Sequence, residues 1–207
     1  MSDHTARNAP PRSGADATTR AAGLISDLFS PGYLVIAVLL LVCCRSAPSG
    51  PRGLGWGLLA AVFCGLVPLA VIHAGVRSGH LTDRHVRVRE QRIKPLCIAL
   101  ASVLTFFALL VVFDAPDDVF SVTVSMLAAL LATLVVTMWW QISVHSAVAT
   151  AAVVIATASC GRWLLVTAPL IVAVAWSRLV LRAHTLAQVC CGALLGLVTS
   201  LLFAALR

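Results

Sequence analysis

Basic and imidazole side chains stand close together near the end of a chain that is otherwise rich in Leu, Val and Ala. Arg178, Arg182, His184 and Gln188 all fall within the segment "WSRLVLRAHTLAQ" at 176–188. A charged side chain at membrane depth costs at least a few kcal/mol, so one that occurs there marks a site or reaches the membrane surface. The segment therefore needs either a chemical role or a position near that surface.

The residue types suit phosphate chemistry. His145 and His184 can supply a nucleophile and a general acid, because imidazole exchanges protons near neutral pH. Gln188 follows His184 by four residues, so on a helix its side-chain oxygen can accept a hydrogen bond from one imidazole nitrogen and leave the other free to attack phosphorus. Four cations can cradle phosphate oxygens: Arg87, Arg92, Lys94 and Arg178.

The elements that must position these residues are membrane helices. Hydrophobic residues make up 60% of the 207 residues and charged residues 11%, which predicts an all-α, polytopic transmembrane helical bundle. Runs of the roughly 20 apolar residues that cross a bilayer predict six or seven spans. The seven runs lie at 24–44, 54–76, 95–113, 119–139, 146–160, 163–181 and 185–206.

The amino-terminal segment 1–22 differs in composition from the rest of the chain. It is rich in Ser, Thr, Ala and Pro, which predicts a disordered tail ahead of one transmembrane domain at 23–207. The chain also has seven Cys without metal-ligand spacing, so we expect neither a metal site nor a cofactor.

Polar segments at 87–95, 141–146 and 176–188 are separated from one another by two spans each. An even number of crossings returns the chain to the same side, so the three segments are predicted to converge at one membrane face. The acidic run "DAPDD" at 114–118 falls on the opposite face. It therefore predicts a polar turn rather than an Asp-rich diphosphate motif.

The charge distribution indicates orientation and partners. The tail, the loop at 77–94 and the loop after the sixth run hold eleven Arg and Lys, against four on the other side. The positive-inside rule then predicts a cytoplasmic N-terminus, and we expect an integral protein of the cell membrane. The net charge of +7 comes with few aromatic residues in the loops, which favours anionic lipid headgroups or phosphate over nucleic acid. The oligomeric state has no signal in the sequence.

Taken together, the three polar segments resemble the type 2 phosphatidic acid phosphatase superfamily, whose motifs are KxxxxxxRP, PSGH and SRxxxxxHxxxD. The third motif is matched at full spacing, with Gln in place of the final Asp, by Ser177, Arg178, His184 and Gln188. The second is matched at Ser143 and His145, with Ile142 and Val144 in place of Pro and Gly. The first, with Lys and Arg exchanged, aligns with Arg87, Lys94 and Pro95. The resemblance covers residues 87–197.

The resemblance implies a metal-independent hydrolase of lipid phosphates or isoprenoid pyrophosphates that works through a phosphohistidine intermediate. It implies that His184 is the nucleophile and His145 the acid. The phosphate ligands that it implies are Arg87, Lys94, Ser143 and Arg178, with Arg92 or Arg89 as replacements for Lys94.

The departures from the family pattern leave one alternative function open, and the remaining histidines need a separate interpretation. Gln188 and Val144 leave open a catalytically weak lipid-phosphate binding or transport protein on the same bundle. The other histidines have no partner pattern, and we expect structural or solvent-facing positions for His73, His80 and His85.

Overall fold

The computed structural model describes the backbone of residues 13–207 apart from 48 and 87, and the side chains from residue 17 onward with the same two gaps. Residues 1–12 of the predicted tail and Arg87, a predicted phosphate ligand, lie outside the described residues. Within the described part of the chain all regular structure is helical and no strand occurs. The predicted all-α class is confirmed.

The helices follow the predicted apolar runs. Their bounds are α1 Ser13–Leu28, α2 Pro31–Ser46, α3 Gly50–Ala60, α4 Val67–Arg77, α5 Arg89–Val112, α6 Asp117–Thr137, α7 Val144–Cys160, α8 Pro169–Val180 and α9 Leu186–Leu206. A π-helical turn at Ala61–Leu66 joins α3 to α4, and a 3₁₀ turn at Arg162–Thr167 leads into α8. Each predicted run overlaps one or more of these helical segments.

Several helices are long and apolar enough to cross a membrane, which is consistent with an integral membrane protein. In the described part of the chain there are five, namely Gly50–Arg77, Arg89–Val112, Asp117–Thr137, Arg162–Val180 and Leu186–Leu206. A sixth results if Ala17–Leu28 and Pro31–Ser46, which meet at a bend of 41°, count as one span. Helix α7 is apolar but has 17 residues. The number of six or seven spans stays a prediction.

The first helix begins inside the segment that the sequence predicts as a tail. Helix α1 starts at Ser13, so the predicted boundary between residues 22 and 23 falls within a helix. Ala22 and Ser26 lie one turn apart, are fully buried, and belong to the side of α1 that packs against α8. Residues 17–20 are exposed. The polar composition of this stretch is therefore that of a solvated helix surface rather than of a tail alone.

Helices α7 and α9 pack with their backbones in close contact. A Cβ atom added at Gly192 would overlap the carbonyl oxygen of Ser143, and one added at Gly196 would overlap that of Ala147. The two glycines lie one turn apart on α9, a spacing that lets helix backbones approach in membranes. This contact fixes the start of α7 beside the start of α9.

Polar contacts gather at two opposite ends of the bundle. At one end, which we call the His184 end, Arg92 of α5 donates to the carbonyl of Ile142, and the Ser143 amide donates to the carbonyl of Gln188. At the other, which we call the Asp118 end, Asp118 of α6 contacts Ser46 of α2 and Arg207 at the chain terminus. The segments around 92, 142 and 188 meet at one end, as the count of crossings predicts.

Candidate functional site

A left-handed turn carries the chain from α8 into α9. Arg182 has a φ of 49°, its amide donates to the carbonyl of Leu179, and the amide of Ala183 donates to that of Arg178, both at 3.0 Å. These two bonds form a Schellman motif, which ends a helix by satisfying its last carbonyls. The turn sets His184 just beyond the end of α8 and just before the start of α9.

Gln188 fixes the protonation pattern of His184. Its Oε1 atom accepts the backbone N–H of Thr185 at 3.2 Å and lies 2.9 Å from Nδ1 of His184. Because the Thr185 amide can only donate, the Gln188 atom facing it is the oxygen, and His184 therefore donates from Nδ1. The Nε2 atom of His184 keeps its lone pair. The predicted hydrogen bond is present.

The contact between His184 and Gln188 arises from a helix cap. Thr185 is the N-cap of α9, its hydroxyl accepts the amide of Gln188 at 3.3 Å, and the two residues form a capping box. His184 precedes the cap and is not part of the helix. The sequence interpretation that placed His184 and Gln188 on one helical face was wrong in this respect, although the spacing led to the right pair.

Arg92 lies buried near the start of α5 with its guanidinium held by two carbonyls. Its Nε donates to Val86 at 2.8 Å and its Nη1 to Ile142 at 3.1 Å. Its Nη2 lies 3.4 Å from Nε2 of His184. Val86 has a φ of 45°, an uncommon conformation for a β-branched residue, which the bond from Arg92 helps to hold. Because a guanidinium can only donate, the lone pair on Nε2 of His184 is the acceptor of this contact.

Lys94 is not brought to this site. Its side chain is exposed, whereas Arg92, two residues earlier, is buried and faces His184. Successive residues on an α-helix are about 100° apart, so Lys94 lies about 200° around α5 from Arg92. Arg89 is turned toward Glu90 and the carbonyl of Met138. Of the two alternatives to Lys94 that the sequence leaves open, Arg92 is the one that the structure places at the site.

Ser143 is used as a helix cap. It is fully buried at the N-cap of α7, where its hydroxyl oxygen accepts the amide of Ser146 at 3.3 Å and the hydroxyl of Ser146 at 3.0 Å. Its own amide donates to the carbonyl of Gln188 at 3.0 Å. Ser143, a predicted phosphate ligand, is therefore hydrogen-bonded to the protein itself, and its bonds join the starts of α7 and α9.

His145, the second residue of α7, is 6% exposed and points its ring toward His85. The two ring centroids are 5.2 Å apart at an interplanar angle of 62°. Among the described residues, Nε2 of His145 has no hydrogen-bond partner. Because buried polar atoms are nearly always hydrogen-bonded, an exception of this kind needs an explanation, and a site that receives a polar ligand is one.

Arg178 lies in the interior of the bundle, next to the histidines. It is fully buried near the end of α8, and its Nη1 donates to the hydroxyl of Ser26 on α1. Its positive charge acts on His85 and His145. Arg178 thus contributes charge to the predicted site from the interior, while its guanidinium ties α1 to α8.

Sequence reasoning missed a group of residues around Asp27. The Oδ1 of Asp27 lies 3.1 Å from Nε2 of His85, and its Oδ2 accepts a hydrogen bond from Nη2 of Arg84 at 2.6 Å. Burial and the charge of Arg178 lower the pKa of His85, and Asp27 opposes this shift. His85 was expected to be structural or solvent-facing, whereas it lies between Asp27 and His145. Nothing in the sequence pairs Asp27 with a loop 58 residues later.

These residues lie at the charged end of a cavity of about 570 Å³, within the range of about 300–1,000 Å³ that is typical of ligand sites. The charged and imidazole side chains that line it are Asp27, His73, Arg84, His85, Arg92, His145 and His184. Apolar side chains from the helix interiors line the rest, among them Leu39, Val122, Met126 and Ile155. One end of the cavity is therefore charged, and the rest forms an apolar channel.

The arrangement can bind an anion and attack it. His184 offers a nitrogen with a lone pair, Arg92 offers a guanidinium edge beside that nitrogen, and His145 offers a second buried imidazole. In the described residues no group of three or more His, Cys, Asp and Glu side chains is placed to hold a metal ion. The chemistry that these side chains themselves can perform is nucleophilic and acid–base chemistry.

Comparisons with protein-family models, with curated proteins and with solved structures find no match to this chain. The resemblance to the type 2 phosphatidic acid phosphatases therefore rests on the three short motifs alone. Any function has to be argued from the site itself.

Proposed function

We propose that this protein is a membrane phosphatase that hydrolyses lipid phosphates or isoprenoid pyrophosphates, without a metal ion, through a phosphohistidine intermediate on His184. The observation that carries the proposal is the state of the His184 ring. Its Nδ1–H is held by Gln188, and its Nε2 faces Arg92 inside the cavity. An imidazole held in this tautomer is a nucleophile whose attacking atom already lies beside a phosphate ligand.

In the first step, Nε2 of His184 attacks phosphorus, the N–P bond forms, and the bond from phosphorus to the leaving oxygen breaks. His145 gives its proton to that oxygen. In the second step, water attacks the phosphohistidine, its proton passes to His145, and the N–P bond breaks to release phosphate. Both histidines return to their starting states, so the cycle consumes only water.

Phosphate oxygens are held by charge and by helix ends. Arg92 supplies a fixed guanidinium, and Arg178 adds positive charge from behind. Helices α7 and α9 both begin at this end of the cavity, and the starts of helices favour anions because their first amides point outward. Arg84, which pairs with Asp27 and is exposed, is available to a second phosphate group.

The apolar part of the cavity accounts for the lipid portion of the substrate. Its walls are Leu, Val, Met and Ile side chains from several helices, and it is continuous with the charged end. A phosphate on a hydrocarbon chain satisfies both parts at once, whereas a small soluble phosphate would leave the apolar part unfilled. Membrane lipids surround the remaining exposed apolar helix surfaces.

Orientation and location belong to the same proposal. Eleven of the fifteen Arg and Lys residues lie in the tail, in the 77–94 loop, and at the end of α8 or just after it, where Arg178 and Arg182 stand. By the positive-inside rule, the N-terminus and the His184 end face the cytoplasm, and we place the protein in the cell membrane.

A second candidate is a lipid-phosphate binding or transport protein with little catalytic activity. The observation that favours it is the neutral amide of Gln188, since an amide stabilises a charged His184 less than a carboxylate would. A large gain in phosphatase activity in Gln188→Asp would support this candidate. High activity in the unchanged protein would exclude it.

The test is phosphate release by the full chain in detergent micelles containing EDTA, with phosphatidate and a polyprenyl pyrophosphate as substrates. We expect release by the unchanged protein and a loss of about 10³-fold or more in His184→Ala. His80→Asn is the matched control, because His80 is exposed and its ring bonds to the hydroxyl of Ser78 rather than to any residue of the site. Full activity in His184→Ala would contradict the mechanism.

A further inference from the structure

The cavity holds several positive or potentially positive groups and little negative charge. Arg92 and Arg84 line it, and Arg178 and His184 act on His145 from nearby. Among the described residues that line the cavity, Asp27 is the only carboxylate. Arg178, His85, His184 and Arg92 each disfavour the charged form of His145, because like charges repel. The protonated state of His145 therefore needs support.

The structure contains a connection that can give such support. Asp27 lies 3.1 Å from Nε2 of His85, and the ring of His85 packs against that of His145 at a centroid distance of 5.2 Å. A carboxylate that accepts the Nε2–H of an imidazole fixes its tautomer and makes the ring more electron-rich. Packed at this distance and at an interplanar angle of 62°, the His85 ring in turn limits the orientations that the His145 ring can take.

The other contacts of this group are also defined. Arg84 occupies the second oxygen of Asp27 at 2.6 Å, so the carboxylate is held in one orientation. His85 is 13% exposed in its side chain, which keeps water from most of its contact with His145. The charged groups close to His85 are Asp27 on α1, Asp83 and Arg84 on its own loop, and Arg178 on α8.

We propose that Asp27 and His85 are positioning residues for His145: His85 orients its ring, and the negative charge of Asp27 favours the protonated form that donates to the leaving oxygen. This rests on the proposed function, in which the bond from phosphorus to the leaving oxygen breaks and that oxygen takes the proton of His145. Neither residue touches the reacting atoms. Their effect is confined to the step in which the leaving group needs a proton.

The dependence on the leaving group separates this role from a structural one. An alkyl oxygen needs a proton as it leaves, whereas a nitrophenolate oxygen leaves almost unaided. We expect Asp27→Asn and His85→Phe to lower kcat about tenfold or more on a lipid phosphate, with KM changed less than about twofold, and to leave p-nitrophenyl phosphate hydrolysis nearly unchanged. His85→Phe keeps an aromatic ring in contact with His145 and removes the ring nitrogens, and with them the bond to Asp27.

The pH profile gives a second readout. Without the carboxylate, the protonated histidine is favoured less, so the alkaline limb of kcat for the lipid phosphate is expected at lower pH in Asp27→Asn. His80→Asn, a change of a histidine in the same loop outside the cavity, is expected to move neither the profile nor kcat.

Equal losses on both substrates, or a rise in KM without a fall in kcat, would overturn the inference while leaving the proposed function intact. Absence of phosphate release by the unchanged protein would instead remove the proposed function. In that case ¹⁵N-histidine NMR still decides whether the connection exists. Asp27→Asn is expected to shift the ring resonances of both His85 and His145, and a His145 spectrum that does not respond would refute the coupling.

Discussion

The two polar ends of the bundle differ in how their charged side chains are paired. At the Asp118 end, Oδ1 of Asp118 lies 3.1 Å from Nε of Arg207, and Oδ2 accepts the hydroxyl of Ser46 at 2.8 Å. Arg207 also donates to the carbonyl of Ala158 at 2.6 Å. Opposite charges meet directly there, and the contacts join the ends of α2, α6, α7 and α9. This is how a bundle uses charge to hold its helices together.

At the His184 end, positive charge exceeds negative charge around a cavity. Arg84 and Arg92 line it, Asp27 is the only carboxylate among its described lining residues, and Arg178 lies in the interior next to it. A buried nitrogen of His145 has no hydrogen-bond partner among the described residues. Surplus positive charge around an apolar channel is costly unless an anion with an apolar tail completes it. The comparison shows why the acidic run at 114–118 has a structural role, whereas the segments that contain His145 and His184 form the candidate site.

The largest effect among the substitutions that sharpen this comparison is expected at Arg92. Arg92→Lys keeps the positive charge but loses the two-carbonyl clamp and the edge that faces His184, so kcat/KM is expected to fall about 10²-fold. Steady-state kinetics on a lipid phosphate measures the loss. Lys94→Gln is the matched control two residues away, where we expect a change of less than about twofold because that side chain is exposed. A larger loss in Lys94→Gln than in Arg92→Lys would show that the phosphate ligand is Lys94, as in the motif alignment, and not Arg92.

Part of this site follows from the sequence, and the reasons are physical. The apolar runs predict the helices because helix is the form that satisfies backbone groups in lipid, and the even number of crossings brings the polar segments to one end. The four-residue spacing predicts the pair of His184 and Gln188. The choice between Lys94 and Arg92 depends on where α5 begins and how it is rotated, which a motif spacing does not determine.

The Asp27 group shows what sequence reasoning lacks. Asp27 and His85 are 58 residues apart, on a helix and in a loop, and no periodic pattern connects them. Their contact depends on the packing of α1 against α8. Helix α1 begins in a segment whose composition predicts a tail. Long-range pairs of this kind arise from tertiary packing.

A smaller effect is expected at Gln188. Gln188→Leu removes both the acceptor for His184 and half of the capping box, so we expect kcat to fall about tenfold and the free energy of unfolding to fall by about 1 kcal/mol. Gln188→Glu keeps an oxygen at the same position and is expected to retain stability and activity. Kinetics and thermal unfolding in detergent measure the two effects. Equal activity in Gln188→Leu and the unchanged protein would show that His184 needs no such partner.

The smallest effect on activity is expected at the opposite end. Asp118→Asn weakens a partly exposed ion pair with Arg207, so the free energy of unfolding is expected to fall by about 1 kcal/mol or less. Phosphate release should stay within about twofold, because Asp118 does not line the cavity of the His184 end. If Asp118→Asn lowered activity as strongly as Arg92→Lys, the division between a structural end and a site end would be wrong.

The most direct test of the central claim is detection of the phosphohistidine itself. The full chain is mixed with a lipid phosphate, quenched in alkali within milliseconds to seconds, digested and analysed by mass spectrometry. Phosphate on His184 in the unchanged protein is the result that the account predicts. With p-nitrophenyl phosphate, whose leaving oxygen needs no proton from His145, the phosphohistidine is expected to accumulate further in a His145→Ala variant, because only the second step is slowed there. Phosphate release without any phosphorylated His184 peptide, or phosphorylation of another residue, would contradict it.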